Sequence, residues 1–262
     1  MTARRAPRDH SIFERILVGV DGTPESLEAC RQAVRLAEPQ ATIEAAYVQF
    51  FPPETASALG VPDVADRLEH AAGSALADAA AILGPHAELR RLQGLTVEVL
   101  LAEAERIEAT LLAIGTHGHP RLEEIVLGGV AGELLHQAPC AVLVARPVRD
   151  PATFPRDIVV GIDGSDEAER AFEAARSLAD QHDGTLRSVV AEGDKSVELG
   201  AIAQRHPRVE AVAAAPVQAL VEASSGADLL VVGSRGLHGV RALGSVSERV
   251  AHEAPCSVLV VR

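Results

Sequence analysis

The sequence predicts a duplicated α/β protein, a parallel sheet covered by helices and built twice along one chain. Residues 233–262, GSRGLHGVRALGSVSERVAHEAPCSVLVVR, have a near-copy at 115–146, GTHGHPRLEEIVLGGVAGELLHQAPCAVLVAR. In each copy an apolar run, TLLAI or DLLVV, ends in Gly-x-x-Gly, a variable loop follows, a second glycine opens a short helix, and Ala-Pro-Cys leads into another apolar run. Strand, glycine loop, helix and strand in that order build an anion pocket. Continuous apolar strands alternating with helical segments complete the argument, because strands buried on both faces belong to a parallel sheet.

Each half follows the same order. Residues 1–11 are polar, Arg-rich and interrupted by Pro7, and are expected to form a disordered tail. Residues 16–20 make a first strand ending at Asp21-Gly22, and Thr23-Pro24-Glu25 reads as N-cap, first-turn proline and acidic first turn of a helix to about residue 37. Its buried side runs through Ala29, Cys30, Ala33, Leu36 and Ala37. An offset of 142 sets Asp163 on Asp21, Gly164 on Gly22, Ala171 on Ala29 and Leu178 on Leu36, so this is a domain duplication. Second strands follow at 42–48 and 185–191. The copies then diverge: a Pro-rich loop and a long Ala-rich helix at 64–83 in the first, a short helix to about 204 in the second. Third strands are expected near 87–92 and 209–213, then helices at 96–109 and 216–227 that feed the fourth strands. The expected domains are 12–146 and 157–262, joined by a proline-rich linker at 147–156.

Composition limits the function. The 262 residues have room for two domains of roughly 110–130 residues. Apolar residues are 47% of the chain, but with no Trp, one Tyr and five Phe the core is aliphatic and offers few platforms for stacking bases. A formal charge of −13 repels a phosphate backbone, which argues against nucleic-acid binding but not against a small anion in a local pocket. No apolar run approaches the roughly 20 residues that span a bilayer, and the basic residues 1–10 lack the apolar core of a signal peptide, so a cytoplasmic protein without membrane association is expected. Cys30, Cys140 and Cys256 have no CxxC spacing and read as buried small apolar residues.

In an open parallel sheet, ligands sit beyond the carboxyl ends of the strands where the winding reverses. That places Asp21-Gly22-Thr23 with Gly115-Thr116-His117-Gly118 in the first copy, and Asp163-Gly164-Ser165 with Gly233-Ser234-Arg235-Gly236 in the second. The helices opened by Gly128-Gly129 and Gly244-Ser245 add their positive ends. Each feature also has a structural reading: the glycines as tight turns, the aspartates as turn caps, Arg235 and Arg241 as solvated charges. His117 and His119 lack a third metal ligand at a recognisable spacing, and His136 and His252 fit helix C-termini. The GDKS at 193–196 lacks the earlier glycine of a P-loop. No nucleophile with an ordered base is evident, so no catalytic residue and no metal site is assigned.

VGVDGTPES, VGIDGSDEA, the two glycine loops, GSVSERV and the paired APCAVLV and APCSVLV resemble the universal stress protein family in its tandem-domain form. The resemblance implies five parallel strands per half in the order 3-2-1-4-5, with the last strands pairing across a pseudo-twofold to make an intramolecular pseudo-dimer; a further homodimer is compatible with it. It also implies ATP, with Mg as a companion, at the strand ends of one or both halves of a stress sensor or regulator. The implied contact residues are Val20, Asp21, Gly22, Val48, Ile114, Gly115, Gly118, Gly128, Gly129 and Val130 in the first half. In the second they are Ile162, Asp163, Gly164, Val232, Gly233, Gly236, Gly244, Ser245 and Val246. The family's ATP-binding pattern is Gly, two residues, Gly, nine residues, Gly, then Ser or Thr. The first copy keeps the spacer but has Gly129 in place of the hydroxyl; the second keeps Ser245 but its spacer, 237–243, is two residues short. A ligand-free interaction scaffold is the alternative, and a slow ATPase a more distant one.

Overall fold

A computed structural model describes residues 12–50, 62–116, 127–192, 199–206, 208–234 and 244–262. The expected tail at 1–11 lies outside the described residues. The first half contains β1 (Arg15–Val20), α1 (Pro24–Leu36), β2 (Thr42–Gln49), α2 (Pro62–Leu83), β3 (Glu88–Gln93), α3 (Thr96–Arg106), β4 (Leu111–Gly115), α4 (Gly129–Gln137) and β5 (Ala141–Ala145). The second contains β6 (Asp157–Gly161), α5 (Asp166–Gln181), β7 (Thr185–Ala191), α6 (Leu199–Arg205), β8 (Glu210–Val212), α7 (Pro216–Ala223), β9 (Leu229–Gly233), α8 (Ser245–Glu253) and β10 (Ser257–Val261).

Helix starts follow their local chemistry. The Thr23 hydroxyl accepts from the Ser26 amide and the Ser165 hydroxyl from the Ala168 amide, so α1 and α5 both begin with a side-chain cap. Helix α3 stops at Arg106, short of the expected 109. Glu108 takes φ 49° and the Ala109 amide turns back to the Ala104 carbonyl at 2.8 Å, a left-handed C-terminal turn built without glycine.

The strands form one ten-stranded sheet in the order β3-β2-β1-β4-β5-β10-β9-β6-β7-β8. Each half has the implied 3-2-1-4-5 order with all its pairs parallel, but the halves do not keep separate sheets. Strands β5 and β10 pair antiparallel, with Leu143 opposite Leu259. Both are buried along their whole length, so pairing removes two apolar edges that would otherwise lie open. One face of the sheet packs Ile16, Val18, Leu111 and Val231 under α1, α2, α5 and α6. The other packs Leu17, Leu112, Val142 and Val258 under α3, α4, α7 and α8.

Two arginines fasten the halves reciprocally. Arg146, just after β5, sends its guanidinium across the seam to the carbonyls of Ala251 at 2.6 Å and Cys256 at 3.2 Å, at the C-terminal end of α8. Arg262, just after β10, returns the contact to the carbonyls of Leu135 and Cys140 at the end of α4. The cation answers carbonyls that a helix leaves unpaired. Arg146 is only 5% exposed, and burial lowers its pKa to about 10. On the opposite face, Gln32 donates to the Arg146 carbonyl and Arg35 to the Phe154 carbonyl, both at 2.7 Å.

The three cysteines are buried and unpaired. Burial raises Cys30 to about 12 and Cys140 and Cys256 to about 11, so none is a thiolate at neutral pH.

Candidate functional site

Each half opens a cavity at the carboxyl ends of its first and fourth strands, between the sheet and the N-termini of two helices. The first, of about 280 Å³, lies against Gly19, Val20 and Asp21 from the end of β1, Ala46 and Val48 from β2, and Ile114, Gly115 and Thr116 from the end of β4. Thr96 and Leu100 of α3 and Gly128–Ala131 at the start of α4 close it. The second, of about 110 Å³, is lined by Gly161–Asp163, Val189, Ala191, Val232, Gly233, Pro216 and Leu220, with Gly244–Ser247 at the start of α8.

The expected residues Val20, Asp21, Val48, Ile114, Gly115, Gly128, Gly129 and Val130 meet in the first cavity, and Ile162, Asp163, Val232, Gly233, Gly244, Ser245 and Val246 in the second. Gly22 and Gly164 do not line either. They take φ of 83° and 85° in the turn behind the site, so their requirement for glycine is a backbone one. Gly118 and Gly236 lie outside the described residues, as do His117, His119, Arg235, Arg241 and the GDKS at 193–196. Sequence reasoning missed Ala46, Thr96 and Leu100, and their counterparts Val189, Pro216 and Leu220. From Val48 the two-residue strand period points to Ala46, and the offset between copies points to Val189 and Ala191.

Four of the expected residues have structural work. A Cβ on Gly115 would lie 2.7 Å from the Glu25 carbonyl carbon, and one on Gly233 2.6 Å from that of Glu167. The first turns of α1 and α5 cross the strand ends there, leaving no space for a side chain. Asp21 Oδ1 accepts from the Thr23 amide at 2.9 Å and its hydroxyl at 2.5 Å, and Asp163 Oδ1 does the same for Ser165 at the same two distances. Each aspartate thereby orients the residue that caps the following helix.

The helix ends facing the cavities are chemically different. Neither Gly128 nor Gly244 supplies a side-chain cap, so the first amides of α4 and α8 have no side-chain acceptor at the cap position. An anion is the complement of such an end. In the first half, the Gly128 amide ties to the Thr116 carbonyl at 2.8 Å. In the second, the Ser247 hydroxyl donates to the Gly233 carbonyl at 2.7 Å. Ala131 stands in the place of Ser247 and cannot make that bond. Among the described residues no atom comes within 4 Å of a Cβ position on Gly129, so none of them crowds out the missing hydroxyl.

Across the seam, His136 Nε2 of α4 lies 3.2 Å from Glu248 Oε1 in the first turn of α8. His252 does not have the equivalent pair, because Gly132 occupies the matching position; its carbonyl instead accepts from Arg146 at 3.5 Å. Among the described residues, no three His, Cys, Asp or Glu side chains converge on a metal position, and no helix is long and apolar enough to cross a membrane.

The family model for the universal stress protein family matches residues 12–146 and 188–262. The chain belongs to the universal stress protein family. Universal stress protein Rv2623 of Mycobacterium tuberculosis is 29% identical over 289 residues, covering 94% of this chain and 96% of that protein. A universal stress protein of Mycolicibacterium smegmatis is 31% identical over 297 residues, with the same two coverages. Among solved structures, a universal stress protein from Archaeoglobus fulgidus aligns at a TM-score of 0.72 and 21% identity, covering 95% of this chain and 98% of that one, which supports the fold. Relatives that match end to end place both copies within a tandem arrangement, in agreement with the duplication in the sequence.

Proposed function

We propose that this universal stress protein binds an adenine nucleotide, ATP, at the strand ends of one or both halves and acts as a sensor or regulator. The observation that carries the reading is the pairing, in each cavity, of an apolar wall with a helix N-terminus lacking a side-chain cap. In the first half Ala46, Val48, Leu100 and Ile114 offer apolar surface suited to a base, while the amides at Gly129–Ala131 offer donors and a positive dipole suited to phosphate. Asp21 stands at the rim between them, an acceptor for ribose hydroxyls. Mg would enter on the phosphates, since Asp21 and Asp163 are the acidic groups lining the cavities among the described residues.

The chain's own contribution is binding and orientation. No base ordered toward an attacking water is found among the described cavity residues, so occupancy and the shape it stabilises are the output. Denaturing the purified protein and weighing the released small molecules tests this, together with calorimetry on added ATP. Released or bound adenine nucleotide supports the reading; no release and no binding at millimolar ATP overturns it.

A second reading, a ligand-free interaction scaffold, draws on the structural roles of Gly115, Gly233, Asp21 and Asp163 described above. Those residues suffice for the fold with empty cavities, and the continuous seam supplies a rigid platform. Substitution of Gly129 by a bulky residue distinguishes the two: it abolishes a function that depends on nucleotide and leaves a scaffold's partner binding intact.

A further inference from the structure

Two acidic side chains meet beneath the wall of the first cavity. Glu44 of β2 and Glu103 of α3 are 5% and 7% exposed. A single nitrogen, Arg106 Nη2, serves both, at 2.6 Å from Glu44 Oε2 and 3.0 Å from Glu103 Oε1. Arg90 of β3 reaches Glu103 Oε1 at 3.3 Å. Glu44 Oε1 is buried with no hydrogen-bond partner. The neighbouring strands add Glu88, opposite Glu44 in the β2–β3 register, and Arg15 of β1, which bonds the Glu108 carbonyl and lies 3.9 Å from the Glu108 carboxylate. Two buried carboxylates bridged by one Arg106 nitrogen, with Arg90 reaching only Glu103 and one Glu44 oxygen orphaned out of water, are arranged to hold a proton between them.

The same helix closes the cavity. Leu100, three residues before Glu103, lines it and touches the position a side chain on Gly19 would occupy, and Thr96 forms its rim. Among the described residues the second half has no matching carboxylate pair. Arg187 occupies the β7 position that matches Glu44, each residue lying beside the same point of its half's first strand, Val159 and Leu17. Its guanidinium donates to the Ala223 carbonyl at the end of α7 and lies 3.6 Å from Glu210. Ala223 stands where Glu103 does, so the Arg187 guanidinium fastens α7 where two carboxyls and Arg106 meet at α3.

We infer that the Glu44–Glu103 pair is a proton-dependent latch on α3, which holds the wall of the first cavity when the pair shares a proton and releases it when both carboxyls ionise, leaving the second cavity unaffected. In its consequence for binding, this rests on the nucleotide reading of that cavity; the latch itself does not. Burial, with Glu103 as its neighbour, raises the Glu44 carboxyl from 4.5 to about 7, whereas Glu103 is lowered. For a raised acid the folded state holds the proton more tightly than the unfolded one. The latch is therefore fully engaged at low pH and is lost as pH rises through about 7. Linkage for one proton makes local opening of α3 about tenfold more frequent at pH 8 than at pH 6.

Hydrogen exchange on the full chain, corrected for the intrinsic pH dependence of amide exchange, tests the latch. The expected result is about tenfold less protection of α3 at pH 8 than at pH 6, unchanged protection of α7, and loss of the difference in Glu44→Gln. Equal protection of α3 at both pH values, or an equal loss in α7, overturns it. Should Glu44→Gln not fold, carboxyl carbon NMR on the wild-type chain decides: a Glu44 midpoint near 7 supports the latch and one near 4.5 sinks it. Calorimetry with ATP at the two pH values then separates the two readings. Weaker binding in the first half at pH 8 supports the coupling, and equal binding alongside a loosened α3 overturns it. Absence of binding at either pH refutes the nucleotide reading, with the exchange result still deciding the latch.

Discussion

The two halves of this universal stress protein share a backbone and differ in how each secures the helices around its cavity. At the strand ends they are the same: Gly115 and Gly233 admit the first turns of α1 and α5, and Asp21 and Asp163 orient the capping hydroxyls. At the helices they part. The first half secures α3 with the Glu44–Glu103–Arg106 cluster and leaves α4 without a side-chain tie at Ala131. The second secures α7 with Arg187 and ties α8 through Ser247. Positions fixed by backbone proximity tolerate no drift between copies, because any Cβ there collides with main chain. Positions that only stabilise a helix end accept any chemistry that satisfies its carbonyls or amides, so the copies are free to diverge.

The comparison is most strongly tested where the halves are alike. Gly115→Ala and Gly233→Ala are each expected to destabilise by about 3 kcal/mol or more, since the obstructing atoms are backbone; chemical denaturation measures this, and a much milder effect in one half shows that its helix can withdraw. The reciprocal arginines come next. Arg146→Met is expected to remove about 2–3 kcal/mol by leaving helix-end carbonyls unpaired in a buried seam, and Arg262→Met roughly half of that because its side chain is only partly buried. Equal losses would show that the seam does not distinguish its two sides.

Smaller effects probe where the halves differ. Gly129→Ser, at the start of α4 where no described atom crowds the new side chain, is expected to tighten ATP binding in the first half roughly tenfold with stability unchanged, as read by calorimetry. No gain would mean that the phosphates lie elsewhere. Least of all, His136→Ala removes a pair with Glu248 that is partly exposed on both sides, and thermal unfolding is expected to change by at most about 0.5 kcal/mol.

Much of this was legible in the chain. The duplication, the element order and the ends of β1 and β4 as the place of the site follow from local patterns, the period of buried residues and the glycines that punctuate them. The cavity walls were less so: Val48 is read from a strand end, but Leu100 and Leu220 belong to helices whose angle over the sheet no local pattern encodes. Gly115 and Gly233 looked like phosphate-loop glycines, and their packing against Glu25 and Glu167 is a long-range contact that spacing does not reveal.

What the sequence determined by itself is therefore the repeated unit, since helix and strand periodicities and turn chemistry act within a few residues of each other. What only the tertiary structure decided is how those units join and titrate. The pairing of β5 with β10, which the family resemblance implies but no local pattern fixes, the passage of Arg146 and Arg262 to the opposite half, and the meeting of Glu44 with Glu103 across 59 positions all depend on burial. Burial withdraws water from groups far apart in the chain and obliges them to satisfy one another.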